Sequence, residues 1–141
     1  MANDVLLNKV AIIERCLMRI REEYLGHEAA LETDYMRQDS IVLNLQRACE
    51  AAIDLAMHVV REQRLGLPQD SRDAFTLLEK AGVIASDSAT HMRAMVGFRN
   101  TAVHQYQSLS MPVLRSILDK HLGDFTSFTR SLMGSLPSVR E

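Results

Sequence analysis

The sequence predicts an all-α protein, an up-and-down bundle of four long helices with one short extra helix. Only three prolines and six glycines interrupt the 141 residues, and apolar residues recur at the spacings of three and four that bury one face of a helix. No stretch of useful length alternates as a half-buried strand does. We expect one domain over residues 1–133 and a frayed tail over 134–141.

The first predicted helix runs from about Asp4 to Leu25 and ends at Gly26. Its apolar positions fall on one face. They are Leu6, Val10, Ile13, Leu17, Ile20 and Tyr24. A loop to about Gln38 is expected to follow.

The second predicted helix begins near Asp39 or Ser40, either of which can cap it. Its apolar stripe contains several alanines, and such small residues allow another helix to approach closely. The stripe consists of Ile41, Leu45, Ala48, Cys49, Ala52, Leu55, Ala56 and Val59. The segment Leu-Gly-Leu-Pro at 65–68 breaks the helix.

Three further predicted helices complete the bundle. A short third helix is predicted over 70–81, where Gly82 stops it, and a fourth begins near Ser86. The fifth begins after Ser110, with Pro112 in its first turn where the missing N–H costs nothing. Its buried face is predicted to comprise Leu114, Leu118, Leu122, Phe125 and Leu132.

Composition excludes several classes of protein. The longest apolar runs have four residues, too few to cross a bilayer, and the acidic Asp4 precedes no long apolar core of a signal peptide. We therefore expect a cytoplasmic protein with no membrane contact.

Cys16 and Cys49 are then reduced thiols that serve as small core residues. The chain has no His-Glu-x-x-His, no Glu-x-x-His and no Gly-rich phosphate loop, so zinc-protease, di-iron and P-loop chemistry lack their residues.

Two Asp–His pairs are spaced four residues apart, Asp54 with His58 and Asp87 with His91. Each suits a metal ion, but a solvated pair on a helix surface is the commoner case, and we predict no metal site.

The second helix also carries a polar stripe opposite its apolar face, formed by Arg47, Glu50, Asp54 and Arg61. Glu50 and Asp54 repel each other unless the neighbouring arginines neutralise them. We interpret the stripe as a surface ion network; the alternative is a face that meets a partner or lines an active cleft.

Acidic residues are absent from positions 88–118, although the chain has a net charge of −2. Thirteen of the sixteen basic residues are arginines, whose planar fork binds phosphate where lysine cannot. The window predicts a local phosphate-binding surface, with a chance lack of acids in one helix as the alternative. Its cations are His91, Arg93, Arg99, His104 and Arg115.

The sharpest motif starts at Gly97 and reads Gly-Phe-Arg-Asn-Thr-Ala-Val-His-Gln-Tyr. Five residues turn a helix about 140° past the start, so Arg99 and His104 do not share a face. Asn100 and His104, four residues apart, do share a face, and so do Arg99 and Tyr106, seven residues apart. The group converges if the helix is distorted, which Gly97 permits, or if a second subunit brings its copy alongside.

An arginine and a histidine beside one phosphate suit phosphodiester cleavage. His104 can act as base or acid near neutral pH, and Arg99 can hold the phosphate and offset its charge in the transition state. RNA supplies its own nucleophile, the 2′-hydroxyl, so no metal is needed. From spacing alone, structural roles for both residues are the commoner case.

The segment resembles the Arg-x-x-x-x-His-x-Tyr motif of HepT-like toxins, a branch of the HEPN superfamily. The resemblance covers nearly the whole chain, with further blocks at 39–47, 49–51, 71–78 and 95–100. It implies a HEPN-like bundle that acts as a metal-independent endoribonuclease, without a cofactor, as the toxin of a type VII-like toxin–antitoxin pair.

The same resemblance implies the role of each residue. Arg99 and His104 would be catalytic, Asn100 would polarise or position them, and Tyr106 would be modified with AMP by a minimal nucleotidyltransferase antitoxin. Such toxins are homodimers with a composite cleft built from both motifs. The alternative is a non-catalytic HEPN module that only partners a nucleotidyltransferase. Apart from the resemblance, the simpler interpretation is that Tyr106 packs its ring at the helix end and forms a hydrogen bond through its hydroxyl.

Overall fold

The computed structural model describes residues 2–135, and within that range it contains helices and no β-strand. A π-helical segment, Ile117–His121, joins the last two α-helices without a break. The expected all-α bundle, with one short helix among the long ones, is confirmed. The helices are α1 (Ala2–Tyr24), α2 (Tyr35–Glu62), α3 (Ser71–Lys80), α4 (Ser86–His104), α5 (Met111–Ser116) and α6 (Leu122–Gly134).

Helix α2 occupies the centre of the bundle, where it contacts α1, α3, α4 and α6. All the apolar positions predicted for α1, α2 and the last helical stretch are buried, as burial of one face requires. Phe75 of α3 and Phe128 of α6 meet edge to face with ring centroids 5.3 Å apart. Cys16 and Cys49 are buried free thiols, as expected, and burial raises the pKa of the Cys49 thiol.

Helix α2 begins at Tyr35, about one turn earlier than the sequence predicts. Asp34 caps it by accepting a hydrogen bond from the backbone N–H of Arg37 at 3.2 Å. The side chain of Arg37 donates to the carbonyl of Glu23 at 2.8 Å, and Gln38 donates to the carbonyl of Leu31 at 2.9 Å. These contacts with the preceding chain stabilise the additional turn, and they leave the Asp39 carboxylate inside the helix rather than at its cap.

The other predicted helix ends agree with the structure. Gly26 and Gly82 follow α1 and α3 with φ values of 83° and 76°, the left-handed conformation that closes a helix at little cost to glycine. Ser110 caps α5 by accepting from the N–H of Val113 at 3.3 Å. The π-helical segment had no signal in the apolar spacing.

The expected frayed tail starts where the described chain ends. Gly134 is the last residue of α6 and Ser135 follows it in a turn, while residues 136–141 lie outside the described residues. None of the described helices has the length and apolar character required to cross a membrane.

Candidate active site

Arg99 lies on α4 where that helix faces α2 and α3. Its Nε donates to Oδ1 of Asn100 at 2.9 Å, and its Nη2 donates to Oγ of Ser71 at 3.4 Å. Its Nη1 is 4.0 Å from Oε2 of Glu50, and 21% of the side chain is exposed. The guanidinium is therefore oriented by neutral partners, with a single carboxylate at the outer limit of an ion pair.

Gly97 lies in a regular stretch of α4, so the local distortion considered from the sequence is not observed. A Cβ at this position would approach Nη2 of Arg72 to 2.9 Å. The Arg72 side chain crosses α4 here and donates to the backbone carbonyl of Arg93 at 3.4 Å. Glycine therefore provides room for a neighbouring guanidinium rather than flexibility.

His104 is the last residue of α4 and its side chain is exposed. Within residues 2–135 no side-chain hydrogen bond or ion pair holds its imidazole. Because α4 remains helical from Arg99 to His104, the two side chains leave the helix about 140° apart. Asn100, four residues before His104, is on the same side of the helix, as the spacing predicts.

Tyr106 does not share a face with Arg99, because the helix ends before it is reached. Gln105 leaves the helical conformation with φ −142° and ψ 50°, and Tyr106 begins a single 3-10 turn, Tyr106–Ser108. The expectation based on a spacing of seven residues is therefore wrong.

The hydroxyl of Tyr106 donates a hydrogen bond to Oδ1 of Asp39, in the first turns of α2. Burial and then this carboxylate raise the pKa of the Tyr106 phenol to about 12, because both disfavour the phenolate. The residue as a whole remains 39% exposed. Tyr106 is thus an accessible, protonated phenol fixed at one point, and sequence reasoning missed its partner because Asp39 was assigned to the helix cap.

Residues 88–118, the acid-free window, contain no acidic residue, but in the folded structure carboxylates from other segments approach its arginines. Glu79 of α3 pairs with Arg93 at 3.1 Å, and Glu32 forms a short ion pair with Arg115. The predicted phosphate-binding surface is therefore narrower than the sequence suggests. Within the motif, two cations of this window are left without a close carboxylate from the described residues. They are Arg99, whose only carboxylate partner there is distant, and His104.

The polar stripe of α2 is neutralised by other helices rather than by its own arginines. Asp54 binds Nζ of Lys9 on α1 at 3.0 Å. Glu50 accepts from Nε2 of Gln46 at 3.4 Å and approaches Arg99 as described above. The alternative in which this face lines a cleft is therefore supported at Glu50, whereas Asp54 belongs to a surface ion pair.

Neither predicted Asp–His pair forms in the described part of the chain. Asp54 turns to Lys9, and His91 lies 3.4 Å from a carboxylate oxygen of Asp124 on α6. Asp124 also contacts His121 at 2.9 Å. Sequence reasoning missed this cluster because its members lie on two helices that are distant in sequence.

A helical bundle that presents an arginine, a histidine and a tyrosine around the end of one helix defines a HEPN-type domain, the class implied by the resemblance. The family model described as Ribonuclease HepT-like matches residues 13–132. The chain belongs to that family, and the resemblance seen in the sequence is confirmed.

Relatives of known structure and function agree with this assignment. The mRNA nuclease HepT of Shewanella oneidensis is 46% identical over 126 residues, which cover 89% of this chain and 94% of that protein. A crystal structure of a toxin–antitoxin with AMP-PNP contains a chain that is 42% identical, with a TM-score of 0.90 over 94% of this chain and 99% of that chain. A structure of the tri-AMPylated Shewanella oneidensis HEPN toxin in complex with MNT antitoxin is 43% identical, with a TM-score of 0.89 over 94% and 98% of the two chains.

We expect Asp39→Asn to lower the pKa of Tyr106 from about 12 while leaving it above the ordinary value of 10.0. The substitution removes the carboxylate but not the burial that contributes most to the shift. Ultraviolet difference titration measures the phenol, with Tyr106→Phe to assign it and Asp54→Asn as the matched control on the same helix. An unchanged Tyr106 titration in Asp39→Asn would contradict the hydrogen bond.

Proposed function

We propose that this protein is the toxin of a toxin–antitoxin pair, a metal-independent endoribonuclease that acts on RNA, with mRNA as its substrate class, in the cytoplasm. Its partner is a minimal nucleotidyltransferase antitoxin that silences it by adding AMP. The observation that carries the proposal is the Arg99 guanidinium, which is preoriented by Asn100 and Ser71 on the same helix that ends at the exposed His104. Membership of the HepT-like ribonuclease family supports it.

The cleavage step uses the 2′-hydroxyl of RNA as nucleophile. His104 takes the proton from that hydroxyl and, as the imidazolium, gives it to the departing 5′-oxygen, while Arg99 binds the scissile phosphate and offsets its growing negative charge. The products are a 2′,3′-cyclic phosphate and a 5′-hydroxyl. Asn100 acts as a positioning residue, since its side chain holds the Nε edge of Arg99 at 2.9 Å. A phosphate would then bind through the Nη atoms in place of the long contacts to Ser71 at 3.4 Å and Glu50 at 4.0 Å.

The cleft is composite and belongs to a homodimer. Because α4 is regular, Arg99 and His104 leave it about 140° apart, which supports a site completed by the motif of the second copy. Met92 and Met95 of the same helix are buried in the core and offer little surface to a partner copy. Val103, 45% exposed next to His104, is an apolar contact available to the partner copy.

Control acts at Tyr106. The phenol oxygen attacks the α-phosphorus of ATP, pyrophosphate leaves, and the phenolic proton passes to a base; Asp39 already accepts that hydrogen bond. The attached AMP adds bulk and negative charge two residues from His104. Its phosphate pairs with Arg99 in the place of RNA and repels the incoming strand, so inhibition requires no unfolding.

Cleavage of RNA in EDTA tests the catalytic assignment. His104→Ala should lower the rate by roughly 10²–10⁴, the usual contribution of a general acid or base. Arg99→Lys should also fail, because lysine lacks the planar fork. His27→Gln, an exposed histidine in the α1–α2 connection, is the matched control and should cleave normally.

The products and the chelator decide between mechanisms. We expect cyclic phosphate ends by mass spectrometry and undiminished cleavage in EDTA. Full activity of His104→Ala, or loss of wild-type activity in EDTA, would contradict the mechanism. A wild-type protein that cleaves no RNA and only binds its nucleotidyltransferase would instead be a non-catalytic module.

A mixed dimer of Arg99→Ala and His104→Ala tests the composite cleft. Each variant alone should be inactive, but the mixed dimer keeps one Arg99 and one His104 on different copies. We expect its cleavage to exceed that of either homodimer by at least about tenfold, within the range lost on removing an acid–base group. Two differently tagged copies, purified in sequence, isolate the mixed species. A mixed dimer as inactive as its parents, or an active monomer by light scattering, would rule the shared cleft out.

Mass spectrometry after incubation with the antitoxin and ATP tests the modification. Mass increases in AMP units should localise to Tyr106, and cleavage should fall as they accumulate. Tyr35→Phe is the matched control, because Tyr35 is the more exposed tyrosine, at 69%, and should leave both results unchanged. A Tyr106→Phe protein that the antitoxin and ATP still neutralise equally well would contradict the assignment.

A further inference from the structure

A half-open cavity of about 460 Å³ lies between α4 and the continuous stretch from α5 to α6. Apolar side chains of Met95, Phe98 and Ile117 line it, and three polar ligating groups stand on its wall. These groups are His91, His121 and Asp124, here named the histidine cluster. The proposed catalysis assigns no role to any of them.

The donor atoms of the histidine cluster converge. Nδ1 of His91 and Nδ1 of His121 lie 3.4 Å and 2.9 Å from the two carboxylate oxygens of Asp124. The two imidazole rings are tilted at 57° with their centroids 5.5 Å apart. Each residue offers one ligand atom, and these atoms all lie within 4.8 Å of one another.

These separations suit a tetrahedral divalent ion. Ligands about 2.0–2.1 Å from Zn²⁺ in tetrahedral geometry are roughly 3.3 Å from each other. The two histidine–aspartate distances, 3.4 Å and 2.9 Å, lie near that value, and each runs to a different oxygen of Asp124. Two imidazoles and one carboxylate also form a donor set that zinc prefers. A small rotation that brings the two imidazoles closer completes three positions, and the cavity leaves the fourth open to water.

The local fold explains why the three side chains meet. The π-helical segment ends at His121, and a π-turn adds a residue that shifts the register of the following helix; such turns recur at functional sites. His121 and Asp124, three residues apart, thereby face His91 across the interface between α4 and α6. The side chain of Asp124 is only 18% exposed, whereas those of His91 and His121 are 44% and 36% exposed, so an ion can reach the cluster from solvent.

We propose that the histidine cluster is a binding site for a divalent transition-metal ion, with Zn²⁺ the best fit, held by Nδ1 of His91, Nδ1 of His121 and a carboxylate oxygen of Asp124. The ion ties α4 to α6 beside the connection that leads from Tyr106 to Ser110, whose Ser108 and Leu109 also line the cavity. Its role is to stabilise this part of the bundle. Because bound ligand favours the folded state, free Zn²⁺ at 100 times its Kd shifts the unfolding equilibrium about 100-fold.

Zinc uptake by the untagged, chelator-stripped full chain tests the site. Titration of ZnCl₂ against a chromogenic chelator should show one Zn²⁺ per chain, and the Tm should rise with added Zn²⁺. His91→Gln and His121→Gln each remove one ligand from a partly exposed position, and each should weaken binding by about 100-fold, at the upper end of the loss found for outer-shell partners. His27→Gln is the matched control and should bind as the wild type does.

The outcomes separate the alternatives. If Asp124 only accepts hydrogen bonds from the two imidazoles, stoichiometric uptake will be absent and Zn²⁺ will leave the Tm unchanged, which overturns the proposal. Variants that bind Zn²⁺ as tightly as the wild type also overturn it, because the ion then lies elsewhere. Circular dichroism confirms that each variant is folded. RNA cleavage in EDTA is a separate measurement. A protein that binds Zn²⁺ but cleaves no RNA would contradict only the proposed catalysis, and a protein that cleaves RNA but binds no Zn²⁺ would contradict only the metal site.

Discussion

The regular period of α4 is the constraint on which the candidate site depends. The helix remains intact through His104, so Arg99 is directed toward α2 and α3 while His104 leaves the bundle at the exposed end. No adjustment of side-chain rotamers changes the angle of about 140° between the two positions. The core helices therefore hold Arg99, while completion of the cleft is assigned to a second copy in the proposed homodimer.

Much of the fold could be predicted because a helix that buries one face has apolar residues at a regular spacing in the sequence. The apolar stripes of α1, α2 and the last helix follow directly from the spacing of residues such as Leu6, Leu45 and Leu132, and each is buried. The additional turn of α2 could not be predicted, because Arg37 and Gln38 stabilise it through carbonyl groups of a preceding segment. The π-helical segment likewise depends on how α5 and α6 pack, which apolar spacing does not encode.

The sequence predicts the residues of the candidate site but not the groups that contact them. Arg99, His104 and Tyr106 are visible as a motif, since their types and order carry the signal. Their surroundings come from distant helices, as Glu50 of α2 at Arg99 illustrates. The same limit applies to charge, because Glu79 and Glu32 neutralise two arginines of a segment that contains no acid of its own.

The contact between Tyr106 and Asp39 gives the proposed modification a structural consequence. A phenol donates the proton of its hydroxyl to Asp39, and an AMP ester no longer has that proton. The esterified oxygen instead carries a phosphate whose negative charge faces the Asp39 carboxylate, and like charges at this range repel. The modified Tyr106 therefore leaves its position against α2.

The 3-10 turn around Tyr106 is an exposed single turn, so it can follow such a displacement at small cost. Of the cations in the acid-free window, Arg93 and Arg115 are already held by close carboxylates, whereas Arg99 has one only at 4.0 Å. Arg99 is therefore the arginine of this window that is left most open to a phosphate. In the proposed composite cleft, repulsion at Asp39 and the open charge of Arg99 act in the same direction, and together they would make the modified tyrosine a competitor for the RNA phosphate.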